Sequence, residues 1–205
     1  MNIVLDLDST LICTYEGESS RSTFSKLKIY TENEDIAHRV YHFELENGSF
    51  MWGVFRPGVA EFLKWSYNFF NNVIIWSAGM RCYVKKIVHI LNKSLDITNP
   101  DIVFYREHCT NINNKKIIKH LDKIFEISSL KNKNINKKNT LLIDDNKSNH
   151  KHNKENTILI PAYLPDFTIE GILIDSDRSL LILREWFESI PIPCKDITLI
   201  PKPVF

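Results

Sequence analysis

Acidic residues in tight pairs stand out along this 205-residue chain. Asp6 and Asp8 flank Leu7, and Asp144 and Asp145 are adjacent; each pair closes a short apolar run, Ile3-Val4-Leu5 and Leu141-Leu142-Ile143. A third run, Val73-Ile74-Ile75-Trp76, ends in Ser77-Ala78-Gly79. In a strand, residues two apart face the same side, so Asp6 and Asp8 can converge at one tip. Gathering carboxylates costs free energy, because like charges repel and burial disfavours the ionised form. A divalent cation relieves that cost, and an all-oxygen donor set suits Mg2+ better than zinc. Carboxylates, Mg2+ and a lysine together suit phosphoryl transfer, where charge on the moving group must be neutralised. Taken singly, the same residues have structural readings: aspartates cap turns, Ser77 can cap a following helix, and lysines are usually solvated.

These groups meet only if the elements carrying them are neighbours. The apolar runs are continuous rather than alternating, which suits strands covered on both faces, and Thr157-Ile158-Leu159-Ile160 before Pro161 is a fourth. Between them lie amphipathic patterns: Val59 to Phe70 behind Arg56-Pro57-Gly58, Met80 to Asn92, Lys115 to Ile127, and Leu180 to Ile190 before Pro191. Strands alternating with helices predict an α/β fold, a doubly wound parallel sheet flanked by helices, whose ligand crevice lies at the carboxyl ends of the strands. Residues 19–55 lack helical period but alternate in places, and Asn47-Gly48 between two such runs predicts a hairpin; the segment reads as a small antiparallel β insert after the first strand. The Asn/Lys run 131–139 reads as a solvated loop, and residues 191–205, with four prolines, as an extended tail after a domain spanning 1–190.

Composition narrows the class. Lys and Arg number 26 against 25 Asp and Glu, a balance that gives no general attraction to nucleic acid or anionic lipid. Cys13, Cys82, Cys109 and Cys194 form no CxxC pair and no metal spacing, so they read as reduced thiols. No apolar run approaches the roughly 20 residues that span a bilayer, and Asp6 and Asp8 interrupt the apolar N-terminus before it reaches signal-peptide length. The expectation is an intracellular globular protein with no membrane and no direct nucleic-acid partner.

Several segments together resemble a known family. Asp6-Leu7-Asp8-Ser9-Thr10 is similar to the DxDxT signature of the haloacid-dehalogenase superfamily, and more narrowly to its FCP/SCP branch, the NLI-interacting-factor-like phosphatases of the RNA polymerase II C-terminal domain. Arg56-Pro57-Gly58-Val59-Ala60-Glu61-Phe62-Leu63 resembles the branch's RPGVxEFL helix start. Trp76-Ser77-Ala78 resembles its second motif, Tyr105-Arg106-Glu107-His108-Cys109 its FRESC segment, Lys119-His120-Leu121-Asp122-Lys123 its KDLSR segment, and Asp144-Asp145-Asn146 its fourth motif.

The resemblance implies a Mg2+-dependent phosphoserine/phosphothreonine phosphatase working through an aspartyl-phosphate on a phosphopeptide such as the polymerase tail. It makes Asp6 the nucleophile, Asp8 the general acid and then base, and Lys119 the charge-balancing catalytic lysine. Ser77, Ala78 and Lys119 would bind phosphate. Asp6, Asp145 and the Asp8 backbone carbonyl would ligate metal, with Thr10, Asp144 and Arg106 in support. The small phosphatases of the branch tend to have Asp-Asn where this chain has Asp144-Asp145, and a further anion should strengthen Mg2+ binding. The chain's end at Phe205 leaves no room for the BRCT domain of the larger type. In the branch the insert helps form an apolar pocket for a substrate proline; Tyr30, Tyr41, Phe43, Phe50 and Trp52 offer such a pocket or simply the insert's own core. Two rival readings are a phosphatase of another phosphomonoester (a small molecule, a nucleic-acid end or another phosphoprotein) and a pseudophosphatase binding module.

Overall fold

The structure, a computed structural model, describes residues 1–15, 19–28, 34–112 and 116–205. The first half runs β1 (Asn2–Leu5), β2 (Ile12–Tyr15), α1 (Ser20–Lys28), the single turn α2 (Glu34–Ala37), β3 (Val40–Glu44), β4 (Phe50–Phe55), α3 (Val59–Phe69), β5 (Asn72–Trp76) and α4 (Arg81–Leu95). There follow β6 (Ile102–Phe104), the short pair β7 (Thr110–Ile112) and β8 (Lys116–Ile118), and α5 (Leu121–Phe125). The last part holds β9 (Thr140–Asp144), α6 (Lys147–His152), β10 (Thr157–Leu159), α7 (Ile169–Ile174) and α8 (Ser179–Glu188).

The central sheet is five parallel strands in the order β10-β9-β1-β5-β6. β1 lies in the middle, and the chain leaves it to build β5 on one side and β9 on the other, which makes the carboxyl end of β1 a topological switch point. Leu5 is level with Ile75 and Ile143, so Asp6, Trp76 and Asp144 arrive together at one edge. The continuous apolar runs have a simple cause: their alternate residues feed two cores. Ile3, Leu5, Val73, Ile75, Leu141 and Ile143 pack on one face with residues of α3, α4 and α8, whereas Val4, Ile74, Trp76 and Leu142 pack on the other with Leu121 and Ile124 of α5. Burying each such side chain is worth about 1.5–3 kcal/mol, which fixes the strands and hence the edge they share.

The insert differs from the sequence reading at its start. Ser20–Lys28 is helical and buries Phe24 and Leu27 against Trp52 and Val54, so the β insert expected over residues 19–55 opens on a helix rather than a strand. A two-residue alternation over so short a stretch is also met by a helix that buries every third residue or so. Beyond α2 the hairpin is as expected: β3 and β4 pair antiparallel, and Gly48 takes a φ of 80°, open to glycine and strained for other residues. β2 completes a three-stranded sheet in the order β2-β4-β3.

Two further segments correct the sequence reading. The helix expected from Lys115 to Ile127 is split: Lys116–Ile118 is a strand paired with β7, and the helix is confined to Leu121–Phe125. Ile117 and Ile118 fit either period, and pairing with β7 decides between them. The 131–139 run is only partly solvated. Ile135 is buried, and Asn134 and Asn139 accept from the Asn2 side chain through a carbonyl (3.1 Å) and an amide oxygen (2.8 Å), closing the amino end of the sheet. Residues 191–205 carry one short turn at Ile197–Leu199, and Ile197 is buried in the main core.

Candidate active site

β1, β9 and the link between β8 and α5 bring four of the expected residues together. Lys119 Nζ lies 2.5 Å from Asp6 Oδ1 and 2.8 Å from Asp144 Oδ2. Asp6, Asp144 and Asp145 each offer an oxygen within 4.8 Å of the others. Lys119 and Asp144 are buried, Asp6 nearly so, and Asp145 is half-buried. Two carboxylates therefore contact one ammonium with a third close beside them, an excess of two negative charges when all are ionised.

The electrostatics follow. Burial pushes the Asp6 carboxyl well up; Lys119 opposes this and Asp144 adds to it. Asp145 is raised by burial and then by Asp144. Burial alone would weaken the Lys119 ammonium, but Asp6 and Asp144 more than offset it and hold the lysine firmly charged. An acid cluster that a buried lysine cannot balance is the condition a further cation relieves, and its donors are all oxygen.

The chain holds this cluster with neighbours that motif reading overlooked. The Asn146 side chain accepts from Ser148 N (2.8 Å) and starts α6, while Asn146 N donates to Asp144 Oδ1 (2.8 Å). On α6, Asn149 donates to Asp144 Oδ2 (2.9 Å) and accepts from Lys119 N (3.0 Å). Asn153 donates to Lys119 O (2.7 Å) and accepts from Leu121 N (3.0 Å). Two asparagines four apart just after Asp144-Asp145 were the available signal, because that spacing puts them on one helical face.

The loop after β1 turns back tightly. Ser9 has a φ of 59°, and Leu11 N and Ile12 N donate to Leu7 O at 2.8 and 3.1 Å. Thr10 Oγ1 donates to Asp145 Oδ1 (3.4 Å), and Thr10 O accepts from Arg56 Nη1 (3.0 Å). Arg56 is 1% exposed and also makes a paired contact with Asp177, 2.8 Å from both Nε and Nη2. It thus ties the loop to the start of α8, a role beyond the helix start read in the sequence.

Asp8 stands apart from the acid cluster. Its Oδ1 accepts from the Tyr83 hydroxyl in a short hydrogen bond and from Thr14 Oγ1 (3.3 Å). Burial, then the Asp8 charge, raises the Tyr83 phenol, so it remains a donor at neutral pH. Asp8 and Tyr83 line an open cleft of about 610 Å3 with Leu45, Met51, Met80 and Arg106. Ser77, buried at the end of β5, accepts from Gly79 N through Oγ (2.9 Å). Arg106 is exposed on the cleft wall, with Nε on Ala78 O (2.8 Å) and N on Gly79 O (3.0 Å). Tyr41, Phe43 and Trp52 are buried in the protein's own cores, Phe50 packs against Phe24 and His42, and Tyr30 lies outside the described residues.

The sequence matches the NLI interacting factor-like phosphatase family over residues 1–198. The chain belongs to this family. That makes it, by class, a phosphoric monoester hydrolase. It is 29% identical over 150 residues to the CTD phosphatase-like protein 355R of Invertebrate iridescent virus 6, a match covering 70% of this chain and 75% of that protein. Its fold is similar to that of the RNA polymerase II CTD phosphatase Fcp1, with a TM-score of 0.60 and 19% identity over 96% of this chain. A fission yeast Fcp1 variant bound to beryllium fluoride matches with a TM-score of 0.59 and 21% identity over 79% of this chain. The chain spans 56% and 41% of those two Fcp1 chains. Among the described residues no helix is long and apolar enough to cross a membrane.

Proposed function

We propose that the protein is a Mg2+-dependent phosphoserine/phosphothreonine phosphatase acting on an extended phosphopeptide, of the kind formed by the RNA polymerase II C-terminal tail. The reading is carried by one observation: three carboxylates crowd a single buried lysine at the carboxyl edge of a parallel sheet, beside an open cleft. The relatives named for CTD phosphatases support the choice of substrate. The open cleft, with Leu45, Met51 and Met80 and the Arg106 cation, offers a peptide both apolar and polar contact.

Asp6 and Asp145, with the Asp8 backbone carbonyl and support from Asp144, would hold Mg2+. When bound, the ion would neutralise phosphoryl charge and orient the phosphate. An Asp6 carboxylate oxygen attacks phosphorus, an O–P bond forms, and the bond from phosphorus to the serine or threonine oxygen breaks. Asp8 gives its proton to the departing alkoxide. In the second step Asp8 takes a proton from water, the water oxygen attacks phosphorus, and inorganic phosphate leaves with the Asp6 carboxylate restored. Lys119 holds Asp6 in place and balances charge on the phosphoryl group. The Ser77 hydroxyl accepts from Gly79 N and keeps its own proton to donate to a phosphoryl oxygen, beside Ala78 N–H. Thr10 steadies Asp145, and Arg106 meets acidic groups of the peptide. Such a substrate places the work inside the cell, in the nucleus or the cytoplasm.

A substrate panel tests the reading. A phosphorylated heptad-repeat peptide should exceed p-nitrophenyl phosphate in kcat/KM by about tenfold or more, since remote contacts raise transition-state binding. Equal values would point to a different phosphomonoester, and no turnover of either to a binding module.

A further inference from the structure

The β insert reaches Asp8 through a line of hydroxyls that the proposed chemistry does not use. Thr14 on β2 and Tyr41 on β3 are both level with Gly53 on the strand between them. Residues on one rung share a face of the sheet, and Gly53 places no side chain between its neighbours. A Cβ on Gly53 would overlap the Tyr41 hydroxyl and crowd the Cys13 carbonyl, so the Tyr41 ring lies across the gap a glycine leaves. Its hydroxyl thereby comes within 2.8 Å of Thr14 Oγ1. Thr14 Oγ1 is in turn 2.6 Å from the Tyr83 hydroxyl, which donates to Asp8 Oδ1.

Proton counting gives this line a direction. Each hydroxyl has one proton, and the ionised Asp8 carboxylate only accepts. The Tyr83 proton goes to Asp8, so the Thr14 proton turns toward Tyr83 or Asp8, and the Tyr41 proton toward Thr14. Donors aligned one way polarise one another and strengthen the last bond.

We infer that Tyr41 and Thr14 are positioning residues that act on Asp8 directly and through Tyr83: the relay holds the Asp8 carboxyl by Oδ1 and orients it toward the leaving group. Tyr41 is 3% exposed and absent from the cleft wall, so it acts at a distance from substrate. The inference rests on Asp8 being the acid in the proposed function, and the test separates the two.

The readout is the ratio of kcat on a phosphoserine peptide, whose alkoxide needs a proton to leave, to kcat on p-nitrophenyl phosphate, whose phenolate leaves with little help. Asp8→Asn sets the reference and should lower the peptide rate by about 100-fold or more beyond its effect on the aryl ester. Thr14→Val keeps the shape and removes the hydroxyl; it should lower the ratio by about tenfold, and Tyr41→Phe by about threefold. Thr14→Ser, which restores the hydroxyl, should restore the ratio, which a defect of folding would not do. If Thr14→Val and Tyr41→Phe leave the ratio unchanged while Asp8→Asn lowers it, the relay is overturned and the acid assignment stands. If Asp8→Asn leaves the ratio unchanged, Asp8 is not the acid and the relay falls with it.

Discussion

Among the described residues two cations, Arg56 and Lys119, are almost wholly buried, and they are buried on opposite terms. Arg56 meets one carboxylate, Asp177, through two bonds of 2.8 Å, and its other donors reach the carbonyls of Thr10 and Pro161 at 3.0 Å. Charge is balanced one to one, and four hydrogen bonds engage the guanidinium. Lys119 meets two carboxylates, with a third close by, and the surplus is anionic. The first arrangement is closed, and adding an ion would gain nothing. The second is left short of positive charge at the sheet edge where a ligand enters. Burial alone does not mark a functional site; an unbalanced charge count does.

The comparison breaks most sharply at the nucleophile. Asp6→Asn should reduce turnover to the uncatalysed level. Because it removes one of the crowded charges, it should keep or raise the melting temperature measured in a chelator. Asp177→Asn should do the reverse: it leaves Arg56 without its counter-charge and lowers stability by about 3 kcal/mol in urea denaturation, toward the lower end of the range for broken buried pairs because Asp177 is partly exposed. Lys119→Met should lower kcat by about 100- to 1,000-fold, the loss of one preorganised electrostatic group.

Added Mg2+ sharpens the contrast. At about 100 times its dissociation constant it should stabilise the wild-type chain by about 2.7 kcal/mol. That increment should vanish in Asp145→Asn and persist in Asp177→Asn, as read by thermal shift. A smaller effect lies in the pH dependence. Burial pushes the Asp177 carboxyl up, but its bonds and charge contact with Arg56 outweigh this and hold it below the ordinary carboxylate range. A depressed folded value contributes stability above the unfolded pKa, and that contribution is lost as pH falls through the folded value. The stability gap between wild type and Asp177→Asn should therefore be full at neutral pH and close below about pH 4, where unfolded aspartate titrates.

How much of this was legible in the chain differs between the same two regions. Apolar runs ending in Asp6, Ser77 and Asp144 announced the sheet and its reactive edge, because strands buried on both faces leave a strong local signal. Lys119 came only through resemblance, and the surrounding pattern misled: Ile117 and Ile118 fitted a helix, whereas Lys119 sits after a three-residue strand fixed by its pairing with β7, which two apolar residues alone do not signal. Arg56 read as the start of a helix, since its partner Asp177 lies 121 residues away. Thr14 drew no attention, and Tyr41 read only as a pocket or core aromatic, for the same reason; their alignment depends on Gly53, a register that no local period encodes.

The central claim is that the anionic excess at Asp6, Asp144 and Asp145 serves a cation and a phosphoryl group together. A crystal structure of the protein with Mg2+ and beryllium fluoride tests it most directly. The account predicts Mg2+ bound by Asp6 and Asp145, and beryllium bonded to an Asp6 carboxylate oxygen within reach of Lys119. Beryllium fluoride absent from Asp6, with Mg2+ bound elsewhere or not at all, would contradict it.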